Sequence, residues 1–142
     1  LKTVPETVLD HGNNRWRHAV LALVIGLTLW WTPVAIAALT LGTGHVMVAI
    51  GLFFSKLAVV TFGGAYAVLS YMAQAAVEQK GWLAAHEMID GLALAETTPG
   101  PLILVTEFVG YLAALRGMGS VWGGILGAVV TLWMTFAPWP PF

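Results

Sequence analysis

The stretch "LAETTPGPLILVTEF", residues 94–108, interrupts an apolar run with two prolines and two acidic residues. Thr98 precedes Pro99, and a residue before proline is driven out of the helical region of backbone space. Gly100 can serve as the N-cap of a new helix, and Pro101 suits its first position. The pattern predicts that one short helix ends here and that a second helix begins at Pro101.

The composition around this stretch is that of a membrane protein. Of the 142 residues, 58% are apolar and only 9% are charged, whereas a soluble domain carries about 25% charged residues. A soluble protein with so few charges would expose large apolar patches to water. The chain has no cysteine, which excludes disulfides and thiolate metal sites. Its net charge of −1 excludes a basic surface for nucleic acid. We expect an all-α integral membrane protein in contact with lipid.

The two ends of the chain are predicted to contain ordinary elements. Residues 1–18 are polar and are predicted to be a linker or tail outside the bilayer. Residues 19–41 carry no charge and are long enough, at about 1.5 Å per residue, to cross a hydrocarbon core of ~30 Å. Residues 118–137 form a last span, with four glycines that include a GxxxG pair and permit close helix packing. The chain then reaches "PWPPF", which cannot continue a helix.

The two middle apolar runs are interrupted. Residues 46–77 are too long for one ordinary span and break at "TFGG", residues 61–64. Residues 91–115 break at "TTPGP". Residues 78–90, between them, are rich in charge and are predicted to form a polar loop and a short amphipathic helix at the membrane surface. The predicted fold is therefore an all-α, polytopic helical bundle with two ordinary spans and two interrupted helices, which are broken or re-entrant.

The basic residues predict an orientation. Arg15 and Arg17 place the N-terminal segment in the cytoplasm by the positive-inside rule. One crossing and a return then bring Lys80 to the same side, and Arg116 faces the opposite side if both interrupted segments cross the membrane. Both segments can instead be re-entrant hairpins, and the sequence leaves this choice open.

The interrupted helices are the main functional signal. Irregular backbone at membrane depth is tolerated where it is buried in protein or lines a cavity. The N-terminus of each half-helix presents free N–H groups and a partial positive charge, so two such ends can converge on a small anion. Interrupted helices of this kind are typical of transporter binding sites. The alternative is that the glycines and prolines only kink helices for packing. The predicted substrate-binding residues at the two breaks are Thr61, Gly63, Gly64, Thr97, Thr98, Pro99, Gly100 and Pro101.

Three ionisable residues are candidates for a role in transport. Lys56 is the cation inside an apolar stretch, where an isolated charge costs ~3 kcal/mol on insertion scales. It can attract an anion, pair with Glu96 or Glu107, or extend toward the membrane surface. Carboxyl groups in a low-dielectric environment resist ionisation, so Glu96 and Glu107 are candidates for coupling proton movement to anion movement. The alternative is a structural pair with Lys56 or with threonine hydroxyls.

Other functional classes find no support. The four histidines are scattered through the tail and loops without the spacing of metal ligands, so we predict solvated histidines and no metal site. No nucleophile elbow, P-loop or HExxH motif occurs. We therefore expect neither enzymatic activity nor a cofactor.

Two segments carry a family resemblance. "FFSKLAVVTFGGAYAVLSYMAQAAVEQKGWL", residues 53–83, and "MIDGLALAETTPGPLILVTEFVGYLAAL", residues 88–115, resemble the chromate transporter family in the order and spacing of their motifs. The resemblance is closest to the C-terminal half of long members, which have two related halves joined by a linker. It implies efflux of chromate across the bacterial inner (plasma) membrane by a multi-pass protein, and thereby chromate resistance. Sulfate is also an implied substrate, because both ions are tetrahedral dianions.

The resemblance also sets expectations for the boundaries. Residues 1–18 would be the end of the linker between halves, and residues 19–142 a partial chromate transporter domain, truncated at its C-terminal end. The chain would act as one half of a transporter, with a second half or a homo-oligomer as its partner. Two alternatives remain: a carrier of sulfate or another small anion, and a non-transporting membrane fragment that needs the other half. Ala84 replaces the serine or threonine that often caps the surface helix in the family.

Overall fold

The computed structural model describes residues 7–60 and 65–137, and within these ranges all regular structure is helical. This confirms the predicted all-α class. Thr61, Gly63 and Gly64 lie outside the described residues, as do the first six residues and the terminal "PWPPF". The helices are α1 (Thr7–Leu41), α2 (Val46–Val60), α3 (Ala65–Gln74) with a π-helical turn (Ala75–Gln79), α4 (Ala85–Glu96), α5 (Pro101–Met118) and α6 (Val121–Phe136).

Helix α1 is the one helix in the described residues that is long and apolar enough to span a membrane. Its qualifying segment, Asn14–Leu41, has 28 residues and is ~42 Å long. Two shorter helices, Val46–Val60 and Val121–Phe136, are also apolar, but 16 residues of α6 reach only ~24 Å. The predicted last span is thus shorter than expected. Because α1 begins at Thr7, part of the predicted N-terminal tail is helical.

Helices α2 and α3 form an antiparallel hairpin. Lys56 on α2 contacts Tyr71 on α3, and Phe53, earlier on α2, contacts Trp82, which lies beyond the π-helical turn. In both arms, the pair of Lys56 and Tyr71 is nearer in sequence to residues 61–64 than the pair of Phe53 and Trp82. The two arms therefore run antiparallel on either side of residues 61–64, which lie outside the described residues.

Helices α4 and α5 form a second antiparallel hairpin around the "TTPGP" motif. A Cβ atom on Gly91 would lie 2.6 Å from the ring of Phe108, and Glu87, further from the tip, pairs with Arg116. The predicted break is confirmed, because α4 ends at Glu96 and α5 begins at Pro101. The predicted surface helix and the short helix before the break are, however, one continuous helix.

The bases of the two hairpins lie at the same end of the bundle. Arg116 donates from Nη1 to the carbonyl oxygen of Trp82 at 3.0 Å, and Trp82 follows Lys80 by two residues. At the same end, a Cβ on Gly117 would lie 2.5 Å from the side chain of Val46, which begins α2. Arg116 and Lys80 therefore lie at the same end of the bundle. Their predicted placement on opposite sides applied only if both interrupted segments cross the membrane, and the two hairpins correspond to the re-entrant alternative.

The hairpins pack beside only part of α1. The last turn of α6 meets α1 at Trp30, which lies ~16 Å along the helix from its C-terminal end. Beyond Trp30, residues 14–29 of α1 are exposed. Helix α2, with 15 residues, is ~22 Å long, whereas the apolar run 19–41 of α1 is ~34 Å long. Helix α2 is therefore shorter than this run, as the re-entrant alternative requires.

A proline in α1 creates the main polar contact between α1 and α6. Pro33 has no N–H, so the carbonyl of Leu29, one turn earlier, lacks its helical donor. The indole N–H of Trp133 donates to this carbonyl at 3.2 Å. In return, Trp30 donates to the carbonyl of Met134 at 2.8 Å, which belongs to the last turn of α6 and has no intrahelical donor. Trp30 is buried, whereas the neighbouring Trp31 is exposed.

Small residues allow α5 and α6 to pack closely. A Cβ on Gly127 would lie 2.6 Å from the carbonyl oxygen of Gly110, so the two backbones touch directly. The hydroxyl of Thr131 fills the adjacent space and donates to the carbonyl of Gly127 at 2.8 Å. Gly123 lies under Met118. This agrees with the close packing predicted from the GxxxG pair.

A polar clamp joins the two hairpin bases. The guanidinium of Arg116 pairs with Glu87 while it donates to Trp82. Ala84, the N-cap of α4, has no side-chain acceptor, but its N–H donates to Glu87 Oε2 at 2.8 Å. The hydrogen bond from Arg116, followed by the one from Ala84, lowers the pKa of Glu87. Glu87 thus anchors the start of α4 although the capping hydroxyl is absent.

The carbonyl left free by Pro33 generates a first prediction. Trp133→Phe should destabilise the protein by about 1–3 kcal/mol, because the carbonyl of Leu29 loses its donor in an apolar setting. In the Pro33→Ala background, the N–H of residue 33 can bond to that carbonyl, so the same change should cost less. Loss of ring contacts is common to both backgrounds and cancels. Thermal unfolding in detergent measures all four proteins; equal costs in both backgrounds would contradict the assignment.

The clamp generates a second prediction. The unfolded pKa of Glu87 is about 4.5 and its folded pKa is lower, so the stability that it contributes is complete above 4.5. That contribution is lost as the pH falls through the folded pKa. Arg116→Gln should therefore lower the Tm above pH 4.5 and flatten its decline in acid. Arg17→Gln removes the same charge from an exposed site on α1 and serves as the control. An unchanged acid slope in Arg116→Gln would contradict the clamp.

Candidate functional site

A groove of about 350 Å³ runs along the α2–α3 hairpin. Its lining combines two cations, two neutral polar side chains and a phenol with a few apolar groups. The lining residues are Thr43, Ala49, Leu52, Phe53, Lys56, Tyr71, Gln79 and Lys80. None of these residues is acidic. The groove therefore offers hydrogen-bond donors and positive charge, as an anion requires.

Lys56 faces this groove from α2. Its ammonium donates to the hydroxyl of Tyr71 at 3.1 Å and lies 5.5 Å from the centre of the ring. Because the hydroxyl is much closer than the ring centre, the contact is mainly a hydrogen bond at the end of the phenol. Lys56 is exposed, so two of its three N–H bonds remain available to a ligand.

Aromatic packing holds Tyr71 in position. Its ring stacks on that of Phe53, with centroids 6.3 Å apart and planes 17° from parallel. Phe53 is buried and also meets Trp82 edge to face at 5.3 Å. Such aromatic pairs contribute about 0.5–1.5 kcal/mol beyond area burial. These ring contacts thus hold the phenol hydroxyl beside Lys56.

The predicted carboxylates do not pair with Lys56. Among the described residues, Lys56 makes no ion pair with Glu96 or Glu107. Glu96 is exposed at the end of α4. Val46 contacts Gly117 at the base of the hairpins. Lys56 follows Val46 by ten residues and Glu107 precedes Gly117 by ten, so both lie ~15 Å from the base. The side chain of Lys56 nevertheless turns toward α3.

Glu107 has an unsatisfied oxygen inside the bundle. Its Oε1 atom is buried and has no hydrogen-bond partner among the described residues, and the same holds for Oγ1 of Thr135. Gly110 contacts Thr131. Glu107 precedes Gly110 by three residues and Thr135 follows Thr131 by four, so Glu107 and Thr135 both lie about one helical turn from this contact, on the side away from the hairpin bases. Buried polar atoms without a partner are rare in native proteins and require an explanation.

Residues 97–100 of the second break are exposed at the tip of the α4–α5 hairpin. Gly100 has the left-handed backbone conformation, with φ 97°, and Pro101 follows as the first residue of α5. The hydroxyl of Thr97 donates to the carbonyl of Leu94 at 2.6 Å, so its proton is already engaged. Pro101 has no N–H and Ile103 donates to Gly100, which leaves Leu102 as the first backbone donor of α5.

The structure divides the predicted site residues into two groups. Lys56 lies in the groove, whereas Thr97, Thr98, Pro99 and Gly100 lie at the exposed second tip and do not line it. The two hairpins nevertheless extend in the same direction, because their bases share one end of the bundle.

Sequence reasoning missed the partners of Lys56 in the groove, above all Tyr71 and Lys80. One signal could have found Tyr71. Lys56 and Tyr71 are equally far from the Gly63–Gly64 pair, as residues facing each other across a hairpin must be. Lys80 has no such signal, because the π-helical turn shifts the register of the second arm.

No metal site is evident in residues 7–60 and 65–137, where no three metal-ligating side chains cluster. His18 and His86 are exposed, as predicted. His45 is half-buried instead, and its Nδ1 accepts from the N–H of Met47 at 3.2 Å. It therefore caps the start of α2, where backbone N–H groups lack helical partners.

Comparison with known proteins identifies relatives. Residues 48–139, which include both hairpins except for the first two residues of α2, match the model of a family described as chromate transporter. The chromate transport protein of Pseudomonas aeruginosa is 36% identical over 84% of this chain and 27% of its own length. The chromate transport protein of Cupriavidus metallidurans is 34% identical over 63% of this chain and 20% of its own length.

A further relative comes from an archaeon. An uncharacterized transporter of Methanocaldococcus jannaschii is 31% identical over 58% of this chain and 18% of its own length. The chain thus spans about a quarter or less of the curated relatives it matches. No solved structure matches it significantly. Because the family match covers more than half of the chain and both interrupted segments, the chain belongs to the chromate transporter family.

Proposed function

We propose that this chain forms part of a transporter that moves chromate out of the cell across the bacterial inner membrane. The observation that carries the proposal is the family match over both hairpins, together with a cation that faces a donor-lined groove within it. Chromate is a tetrahedral dianion, and sulfate, which has the same shape and charge, is a second substrate. Chromate resistance is the physiological outcome.

Substrate binding is proposed to use both hairpins. Lys56 supplies positive charge beside the groove. The half-helix N-termini near Gly64 and Gly100 add partial positive charge, and Thr61, Thr97 and Thr98 add hydroxyls. The hydroxyl of Thr97 can turn to a ligand only by leaving Leu94. We therefore place the substrate between the tips only in a state in which this hydrogen bond is broken.

Glu96 and Glu107 are proposed to handle protons. Glu107 is the stronger candidate, because its buried oxygen has no donor among the described residues and it lies at the depth of Lys56. An anion at Lys56 and a negative charge on Glu107 would repel each other. Protonation of Glu107 would remove this repulsion and so couple proton binding to anion binding.

The working transporter is proposed to contain more than this chain. The matched relatives are about three times its length, so a second transporter half or a homo-oligomer is the expected partner. The exposed apolar residues of α1, such as Leu21, Leu23 and Leu39, would contact lipid or this partner. A fragment that does not transport without the other half is the second candidate, favoured by the same difference in length.

Removal of the Lys56 charge tests the transport function. Lys56→Met should reduce chromate flux at least tenfold, because a dianion loses a cation in a setting of low dielectric. Flux is measured in vesicles that contain the chain alone or with a second family half, and Arg17→Met is the control of equal charge change. Unchanged flux would remove Lys56 from the site. Competition with sulfate then separates the substrates, since sulfate flux without chromate flux would identify a sulfate carrier.

Gly100 tests the role of the second tip. Gly100→Ala should destabilise the protein by about 1–2 kcal/mol, since φ 97° is unfavourable for any residue with a Cβ. It should also reduce chromate flux, because the start of α5 shifts. Gly26→Ala is the matched control: Gly26 is helical, and a Cβ added to it would meet no atom within 4 Å, so alanine there should leave stability unchanged or raise it. Normal flux in a destabilised Gly100→Ala protein would place the tip outside the transport path.

A further inference from the structure

We propose that the α2–α3 groove is a binding site for a doubly charged tetrahedral oxyanion, which Lys80 attracts at the hairpin base and which Lys56 and Tyr71 hold deeper along α2. This proposal rests on the proposed transport function and deepens it, since Tyr71 and Lys80 are added to the residues predicted from sequence. Three features support it: the charge of the groove, the direction of the phenol proton and the shape of the hairpin.

The charge of the groove suits a dianion. Lys56 and Lys80 both line it, and none of its described lining residues is acidic. The nearest acid in sequence to Lys80 is Glu78, whose carboxylate accepts from Gln74 instead. The two unit cations along the groove attract sulfate or chromate about twice as strongly as they attract a monovalent anion at the same place. The groove should therefore favour divalent over monovalent anions.

The phenol of Tyr71 is prepared to donate. Its oxygen accepts a hydrogen bond from the ammonium of Lys56, and Lys56 has no acceptor lone pair to offer in return. The phenol proton must therefore point elsewhere. Because Tyr71 lines the groove, that proton can reach an oxyanion there, and the adjacent ammonium strengthens it as a donor.

The π-helical turn brings Lys80 to the groove. This turn, Ala75–Gln79, ends with the N–H of Lys80 bonded to the carbonyl of Ala75 at 2.9 Å. A π-turn holds more residues than an α-turn, so the residues after it are rotated from the positions that an α-helix would give them. Gln79 and Lys80 thereby face α2 and both line the groove. Interruptions of this kind are frequent at functional sites.

The two lysines lie at different depths. Lys80 and Thr43 are at the hairpin base, whereas Lys56 is ten residues along α2 from Val46, or ~15 Å deeper. An anion attracted at the base can therefore move along the groove to Lys56 without passing an acidic side chain among the lining residues. Leu52 on the rim is 47% exposed, so the phosphate of a lipid headgroup has the same chemistry and access as a free oxyanion.

The test measures binding directly. The full chain is purified in uncharged detergent, and sulfate is titrated by calorimetry at constant ionic strength. Sulfate should bind more tightly than nitrate. Lys80→Gln should weaken sulfate binding about tenfold, because a dianion loses one of two cations. Tyr71→Phe should weaken it to a smaller extent. Arg17→Gln, which removes the same charge more than ~20 Å from the groove along α1, should bind as the original chain does.

Each result has a defined meaning. Equal binding of sulfate by Lys80→Gln and Arg17→Gln, with both proteins folded by thermal unfolding, would overturn the proposal. Sulfate binding that anionic phospholipid in nanodiscs competes away, with tight binding of the lipid itself, would assign the groove to a headgroup and also overturn it. Failure of the transport function appears differently: sulfate binds and depends on Lys80, but vesicles show no chromate flux.

Discussion

Satisfaction of main-chain polar groups is the constraint on which this fold depends. With 9% charged residues, the chain has few side chains that can hydrogen-bond a free carbonyl, and lipid offers no water. Pro33 leaves the carbonyl of Leu29 without its helical donor, and the indole of Trp133 supplies one. The indole of Trp30 likewise donates to the carbonyl of Met134 in the last turn of α6. These reciprocal bonds join α1 to α6 and set the level at which the bundle stops along α1.

The same constraint shapes the hairpins. Arg116 donates to the carbonyl of Trp82 in the loop that joins them, and the hydroxyl of Thr97 donates to the carbonyl of Leu94 where α4 ends. Close approach of helices through Gly110 and Gly127 then excludes lipid from the α5–α6 interface. Lys56 and Lys80 stand apart from this pattern, because neither ammonium group forms an ion pair among the described residues and both line a groove. Positive charge without an acidic partner is the reason to connect the groove with an anion.

Much of the fold could be predicted from local chemistry. Gly100 and Pro101 define the start of α5 because one tolerates a positive φ and the other lacks an N–H, and both properties belong to single residues. The glycine packing of α6 follows from a pattern within one helix. The extent of α4 was predicted less well, because Gly91 resembles the start of a new segment although it only makes room for Phe108.

The sequence by itself determined the helical class, the membrane character, the break at "TTPGP" and the family, because hydropathy, proline and glycine act over a few residues. Only the tertiary structure decided that each interrupted segment folds back into a hairpin, that Arg116 and Lys80 share one end, and that Tyr71 and Lys80 join Lys56 in a groove. These features depend on which faces of distant segments meet. In an apolar chain most helix faces have similar hydropathy, so hydropathy cannot predict which faces pack together. A few polar contacts and glycines determine that packing.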